Sequence, residues 1–397
     1  MYQNTNMKNT ASPPVMEARR WLDAVDIPAD RPLLNVSQAA PTAPPPIGLR
    51  QAIADAALSQ DETHLYGAVL GRPDLRARFA QVTNSHFKTS TLTADHVAIT
   101  AGCNQAFAAA TAALAEAGDE ILIPTPWYFN HNMWLDMQGI KTVALPTGDT
   151  LVPSIDVAKA RITDKTRAIL LVTPNNPGGV EYPPALIDAF FELCKAHGIA
   201  LIIDETYRDF AQSAAPAHHL FDRSDWQETL IQLYSFSKAY RLTGHRVGVI
   251  MAGRQLLPEI EKFLDTVTIC PNQLGQIGAL WGLNNLKDWK ASERDEILAR
   301  RQAMIDGFAQ VPDWNLLGCG AYFAYVQHPF KAPSEEIAKG LLKDQSILML
   351  PGTMFKPATD PTGARELRIA FANIDLSQIA IFFERLKAFQ PTSSCPS

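Results

Sequence analysis

Between residues 96 and 252, short apolar runs alternate with longer stretches of helical spacing. The runs His96–Thr100, Glu120–Pro124, Ala168–Thr173, Ala200–Asp204, Leu230–Tyr234 and Val247–Ala252 are dominated by hydrophobic residues. Nearly continuous apolar runs of this length mark strands buried on both faces. Gln105–Ala115 and Pro184–His197 read as helices between them. Such alternation predicts an α/β fold with a mostly parallel sheet covered by helices. From about Trp289 the pattern changes. A charged helix (Ser292–Phe308) is followed by a strand (Tyr322–Val326), a helix near Ser334–Leu342, a strand (Leu367–Phe371) and a last helix to about Phe389. This predicts a second, smaller α+β domain. The run Pro41-Thr-Ala-Pro-Pro-Pro46 is stiff linker material. The expected organisation is a disordered leader (1–15), an N-terminal arm joining the small domain (16–48), a large domain (49–288) and a small domain (289–397).

Composition narrows the function classes. A chain of 397 residues is long enough for about two domains with ample core. Net charge is 35 minus 41, or −6, with no long basic block, which argues against nucleic acid. No apolar stretch approaches the roughly 18 residues of a membrane span. The polar start has no apolar signal core. Cysteines 103, 194, 270, 319 and 395 are odd in number and lack CxxC or metal-like spacing. That predicts reduced thiols, a cytoplasmic setting and no metal.

Polar residues cluster where the strand candidates end, which is where open α/β sheets bind ligands. Thr100-Ala-Gly102-Cys103-Asn104 opens a helix, and a glycine turn into a helix start suits a phosphate. An ordinary glycine turn is the alternative. Trp127-Tyr128 follows the next strand, where an aromatic can stack on a flat ring or simply join the core. Asn175-Asn176-Pro177-Gly178 puts an amide at the mouth of a buried strand. Asp204 ends an apolar strand, which is costly unless it is paired or caps a helix. Ser235, Ser237 and Lys238 end another strand, and Arg246 begins the next run. Hydroxyls and a guanidinium suit a dianion. A lysine there can do covalent chemistry if its pKa is lowered. Together these groups call for a planar ring with a basic nitrogen, a phenolic oxygen, a phosphate and an aldehyde, a description that pyridoxal phosphate meets.

The joint set of Tyr66-Gly67, Gly102 with Ala106, Asn176-Pro177, Asp204 with Tyr207, Ser-Phe-Ser-Lys238, Arg246 and Leu-Arg368-Ile resembles the class I/II aminotransferases of fold type I. The resemblance runs over roughly residues 30 to 390. It implies a large pyridoxal-phosphate-binding domain with a mostly parallel seven-stranded sheet between helices, and a homodimer. It also implies site roles. Lys238 forms the internal aldimine and shuttles the proton. Asp204 pairs with the ring nitrogen. Tyr207 and Asn176 bond the phenolic oxygen, and Tyr128, or else Trp127, stacks on the ring. The backbone around Gly102, Cys103 and Asn104, with Ser235, Ser237 and Arg246, binds the phosphate, and Tyr66 reaches the phosphate of the neighbouring subunit. Arg368 grips the substrate α-carboxylate with Asn176 and the backbone near Ala39.

Two positions depart from the family pattern. Ala39 stands where a glycine is common, and Cys103-Asn104 replaces a common hydroxyl beside the phosphate glycine. His245, before Arg246, reads as structural. The implied activity is ping-pong transfer of an amino group from an L-amino acid to a 2-oxo acid. Other pyridoxal-phosphate chemistry at the α-carbon, such as a cysteine-S-conjugate β-lyase, uses nearly the same site. A non-catalytic effector domain on this fold would need a DNA-binding segment, for which the sequence shows no pattern. Trp127, Phe129, Tyr322 and Phe355 are candidates both for the pocket wall and for the core.

Overall fold

The computed structural model describes residue 1 and residues 3–391. Strands are numbered along the chain. The arm contributes β1 (Leu34–Asn35). A central sheet follows, made of β2 (Val97–Thr100), β3 (Glu120–Thr125), β4 (Lys141–Pro146), β5 (Thr166–Val172), β6 (Ala200–Asp204), β7 (Leu230–Ser235) and β8 (Gly248–Met251). Their order across the seven-stranded sheet is β2-β8-β7-β6-β5-β3-β4. All neighbours pair in parallel except those of β8, which runs antiparallel to β2 and β7.

The buried character of β5 to β8 explains their almost continuous apolar sequence. Helices cover both faces, so neither side chain row meets water. The helix Pro184–His197 shows how the sequence builds one such cover. Proline stands at its first position, Ile187, Phe190, Phe191 and Cys194 share its buried side, and Gly198 ends it at φ 63°. Fully burying each large side chain contributes roughly 1.5–3 kcal/mol. One strand of the central sheet was not among the sequence candidates. β4, Lys-Thr-Val-Ala-Leu-Pro, is a half-exposed edge strand whose polar residues interrupt the apolar run.

The remaining strands are β9 (Asn315–Gly320), β10 (Phe323–Gln327), β11 (Ile347–Leu348), β12 (Leu350–Pro351) and β13 (Glu366–Ile369). Four of them form an antiparallel sheet in the order β12-β13-β10-β9. The arm's β1 pairs in parallel with β11, Leu34 opposite Ile347. The long helix Lys287–Ala309 begins before the expected change of pattern at residue 289 and runs on without a break. In the stretch expected to be a disordered leader, Thr5–Asn9 is helical, and Pro14 starts a second helix that runs to Asp23. Pro14, Ala18 and Trp21 of that second helix are buried, so a face of four- and three-residue spacing ties it to the body of the protein. Cys395 lies outside the described residues.

Candidate active site

The parallel strands end on one edge, and β8, being antiparallel, begins there. In register, Val172 lies opposite Asp204, Asp204 opposite Leu233, and Ser235 opposite Gly248. This brings the residues after β2, β3, β5, β6 and β7, and the segment before β8, around one cleft of ≈ 390 Å³. Arg368 from β13 and residues 38–40 of the arm close its other side.

Ser235 caps the short helix Phe236–Ala239, its Oγ accepting the Ser237 N–H at 3.2 Å. That turn carries Lys238 into the cleft. Its Nζ donates to the carbonyl of Ala39 at 2.5 Å and lies 5.9 Å from the centre of the Tyr207 ring. Burial pulls the ammonium down to about 8, and the positive charges of Arg368 and Arg246 act in the same direction. A lysine so lowered is available as an amine nucleophile and as a base near neutral pH.

Asp204 is buried at the end of β6. Burial alone would push its carboxyl up. His131 Nε2 at 3.4 Å and the Thr206 N–H at 2.9 Å more than offset this, so its pKa lies below the ordinary value. The carboxylate is therefore ready for a cationic partner. His131 was not among the sequence candidates. The available signal was its position three residues after Tyr128, on the same side of the helix Phe129–Gln138. Its other nitrogen, Nδ1, is buried without a partner.

An anion site lies nearby. Gly102 caps the helix Cys103–Leu114 at φ 86° without any side-chain bond. The first donors inside the helix are Gln105 and Ala106, both to the Gly102 carbonyl at 3.1 and 3.2 Å. The N–H groups of Cys103 and Asn104 are thus left for a ligand, at the positive end of the helix. Arg246 occupies the space that a side chain at residue 102 would need. A Cβ there would stand 2.1 Å from its Nη2. Arg246 donates to Ser237 Oγ at 3.4 Å and to the Thr243 carbonyl at 3.1 Å. Burial pushes the Cys103 thiol up, so it stays neutral.

Arg368 is buried, with Nη1 donating to Asn176 Oδ1 at 3.1 Å and Nη2 to the Ser37 carbonyl. Its guanidinium carbon lies 4.8 Å from the Phe355 ring centre and 5.2 Å from that of Phe323. Burial pulls its pKa to about 10, still well charged at neutral pH. The buried Nε has no partner. A buried guanidinium with a donor to spare is suited to a carboxylate held at two points. Asn176 uses its Oδ1 on Arg368, which leaves its NH₂ for a ligand. Tyr207 packs on Tyr322 and Phe323 with ring centres 5.4 and 5.1 Å apart, and burial pushes its phenol well up.

Of the two stacking candidates, Tyr128 lines the cleft, its hydroxyl accepting from Asn130 Nδ2 at 2.8 Å. Trp127 is buried in the core beside Phe107 and Leu135. Among the wall candidates Phe129 lines the cleft, whereas Tyr322 and Phe355 belong to the core. Gly102 is buried beside the cleft and shapes it through Arg246. Tyr66 is 80% exposed and outside the cleft of its own chain. Pro13, Val15, Asn130 and Thr206, which were not among the sequence candidates, also line the cleft.

The model of the family described as aminotransferase class I and II matches residues 31–386. The valine–pyruvate aminotransferase of Mycobacterium tuberculosis is 30% identical over 371 residues, covering 91% of this chain and 92% of its own. An aspartate aminotransferase of Pyrococcus abyssi is 27% identical over 324 residues, covering 80% and 81%. Among solved structures, a Thermus thermophilus aspartate aminotransferase single mutant superimposes with a TM-score of 0.88 at 20% identity, covering 98% and 99% of the two chains. An aminotransferase from Mycobacterium tuberculosis gives 0.87 at 25% identity, with the same coverage. The chain belongs to the class I and II aminotransferases, transferases of fold type I that depend on pyridoxal phosphate.

Proposed function

We propose that this cleft performs ping-pong transamination between an L-α-amino acid and a 2-oxo acid, with Lys238 as the catalytic residue. The observation that carries the reading is an amine lowered to about 8 in the same cleft as a buried arginine with an unpartnered Nε. The donor set fits the cofactor. The Cys103 and Asn104 N–H groups, Ser235, Ser237 and Arg246 would hold its phosphate. Asp204, kept anionic by His131, would hold the proton on its ring nitrogen. Tyr207 and the Asn176 NH₂ would bond its phenolic oxygen, and Tyr128 would cover the ring. When bound, the cofactor supplies an aldehyde carbon for the amine and a ring that accepts the electron pair released at the α-carbon. Arg368, with Asn176 and the Ala39 backbone, orients the α-carboxylate. Freed Lys238 takes the proton from the α-carbon and returns it one position away.

The reading extends to assembly and setting. Tyr66 is a large apolar residue left 80% exposed and outside the cleft of its own chain. That supports a homodimer in which Tyr66 meets the partner's phosphate. The described cysteines 103, 194, 270 and 319 are unpaired, which supports a cytoplasmic setting. No helix among the described residues is long and apolar enough to cross a membrane. The arm (16–48), large domain (49–288) and small domain (289–397) are the units we assign. The test is a half-reaction of the loaded enzyme with single amino acids and no acceptor. Transamination yields one 2-oxo acid per site together with the aminated cofactor. Continuous release of ammonia and pyruvate from a cysteine conjugate would replace this reading with β-elimination.

A further inference from the structure

Of the cleft residues left over after the cofactor and α-carboxylate contacts, none is charged: Gln38, Asn130, Thr206 and Thr243 are polar, and the others form an apolar wall. Pro13 and Val15, just before the arm, and Phe129 after β3 line it, beside Ala39 and Ala40. Its placement follows from the sequence. Pro13 and Pro14 fix the start of the helix Pro14–Asp23, and Pro14, Ala18 and Trp21 turn into the core. Val15 is rotated by one residue, roughly 100° in a helix, and lines the cleft. It is half-buried and packs against the core from that side.

Charge sharpens the picture. The cations lining the cleft are Lys238, Arg246 and Arg368. One is taken by the cofactor's carbonyl carbon, one by its phosphate and one by the α-carboxylate. The adjacent Arg19 is exposed and donates to Gln38 Oε1 at 3.4 Å, outside the cleft. A second carboxylate held at the apolar wall would therefore meet no further cation of this chain among the cleft residues, and burying it unpaired is disfavoured.

We infer that Pro13, Val15 and Phe129 form the side-chain subsite, and that it selects amino acids and 2-oxo acids carrying one carboxylate and an uncharged, apolar side chain. The inference rests on the transamination reading given above. Because a ping-pong enzyme uses one cleft for both substrates, the selection applies to acceptor as well as donor. Both halves of the reaction are then of the monocarboxylate type.

The test uses holoenzyme and two readouts. In half-reactions, leucine and methionine should exceed glutamate and aspartate in kcat/KM by on the order of 100-fold, the discrimination expected when a charged group is left unpaired. By calorimetry, 4-methylpentanoate should bind more tightly than glutarate, a comparison that needs no turnover. The variant Val15→Arg places a cation in the wall and should narrow the gap at least about 10-fold. Glutamate equal to or better than leucine, with glutarate the tighter ligand, would overturn the inference while leaving transamination intact. If no amino acid yields a 2-oxo acid, the transamination reading fails, and the binding comparison still decides what the wall selects.

Discussion

Replacing Gly102 by alanine should weaken cofactor binding through Arg246, although residue 102 would touch no cofactor atom with its new methyl group. The added Cβ would fall 2.1 Å from Arg246 Nη2 and 2.8 Å from its Cζ. Backbone cannot yield easily at this position, because Cys103 N and the Gly102 carbonyl carbon face the missing side chain of Gly248 at 2.7 and 2.5 Å. The guanidinium is the far end of a flexible chain, so it moves instead. A charge-assisted bond to phosphate is worth about 1.5–3 kcal/mol, and 1.4 kcal/mol is a factor of ten. The dissociation constant for pyridoxal phosphate should therefore rise roughly 10- to 100-fold. Alanine at φ 86° also adds about 1–3 kcal/mol of backbone strain. That strain is present with and without cofactor, so it lowers Tm rather than affinity. Quenching of tryptophan fluorescence measures the affinity, and thermal melts of the cofactor-free protein measure the strain. The decisive comparison is the cycle with Arg246→Ala. If Gly102 acts through Arg246, the double variant binds about as weakly as Arg246→Ala alone. Independent effects that multiply would refute the reasoning.

Arg368→Lys keeps the charge but loses the fork that reaches Asn176 and Ser37, so kcat/KM should fall on the order of 100-fold while cofactor affinity stays unchanged. In the cofactor-free protein, the rate of cofactor capture should rise with pH along a curve centred near 8, because the Lys238 ammonium must lose its proton and burial has lowered its pKa to about 8. Stopped-flow absorbance checks this, and a midpoint near 10.5 would contradict the burial argument. Buried Glu205, which lies by Arg208 and His218 and accepts from Gln232, is pushed up by burial to about 7. The folded state then binds more protons than the unfolded between pH 4.5 and about 7, so this group's stabilising contribution is lost as pH rises through that window. Glu205→Gln removes that loss, and its melting temperature relative to the parent should be higher at pH 8 than at pH 5.

The large sheet could be read from sequence because its central strands are buried on both faces and their apolar runs are nearly unbroken. The polar residues that close or follow them, Asp204, Asn176 and Lys238, therefore stood out at the strand ends. What stayed hidden depended on side-chain direction. His131 is one polar residue in a helix of mixed character, and only its approach to Asp204 gives it meaning. Val15 is an ordinary apolar residue until the buried Pro14 and Ala18 show which way the helix is turned. β4 escaped because an edge strand exposes polar residues. Trp127 and Tyr128 were indistinguishable by type, and only the turn between β3 and the helix Phe129–Gln138 sends one to the core and the other to the cleft.

Lys238 can be tested as the residue that holds the cofactor by borohydride reduction of the loaded enzyme, proteolysis and mass spectrometry. The phosphopyridoxyl group should be found on the peptide containing Lys238, and Lys238→Ala should carry no such label. A label on another lysine, or an unlabelled wild-type peptide, would contradict the assignment.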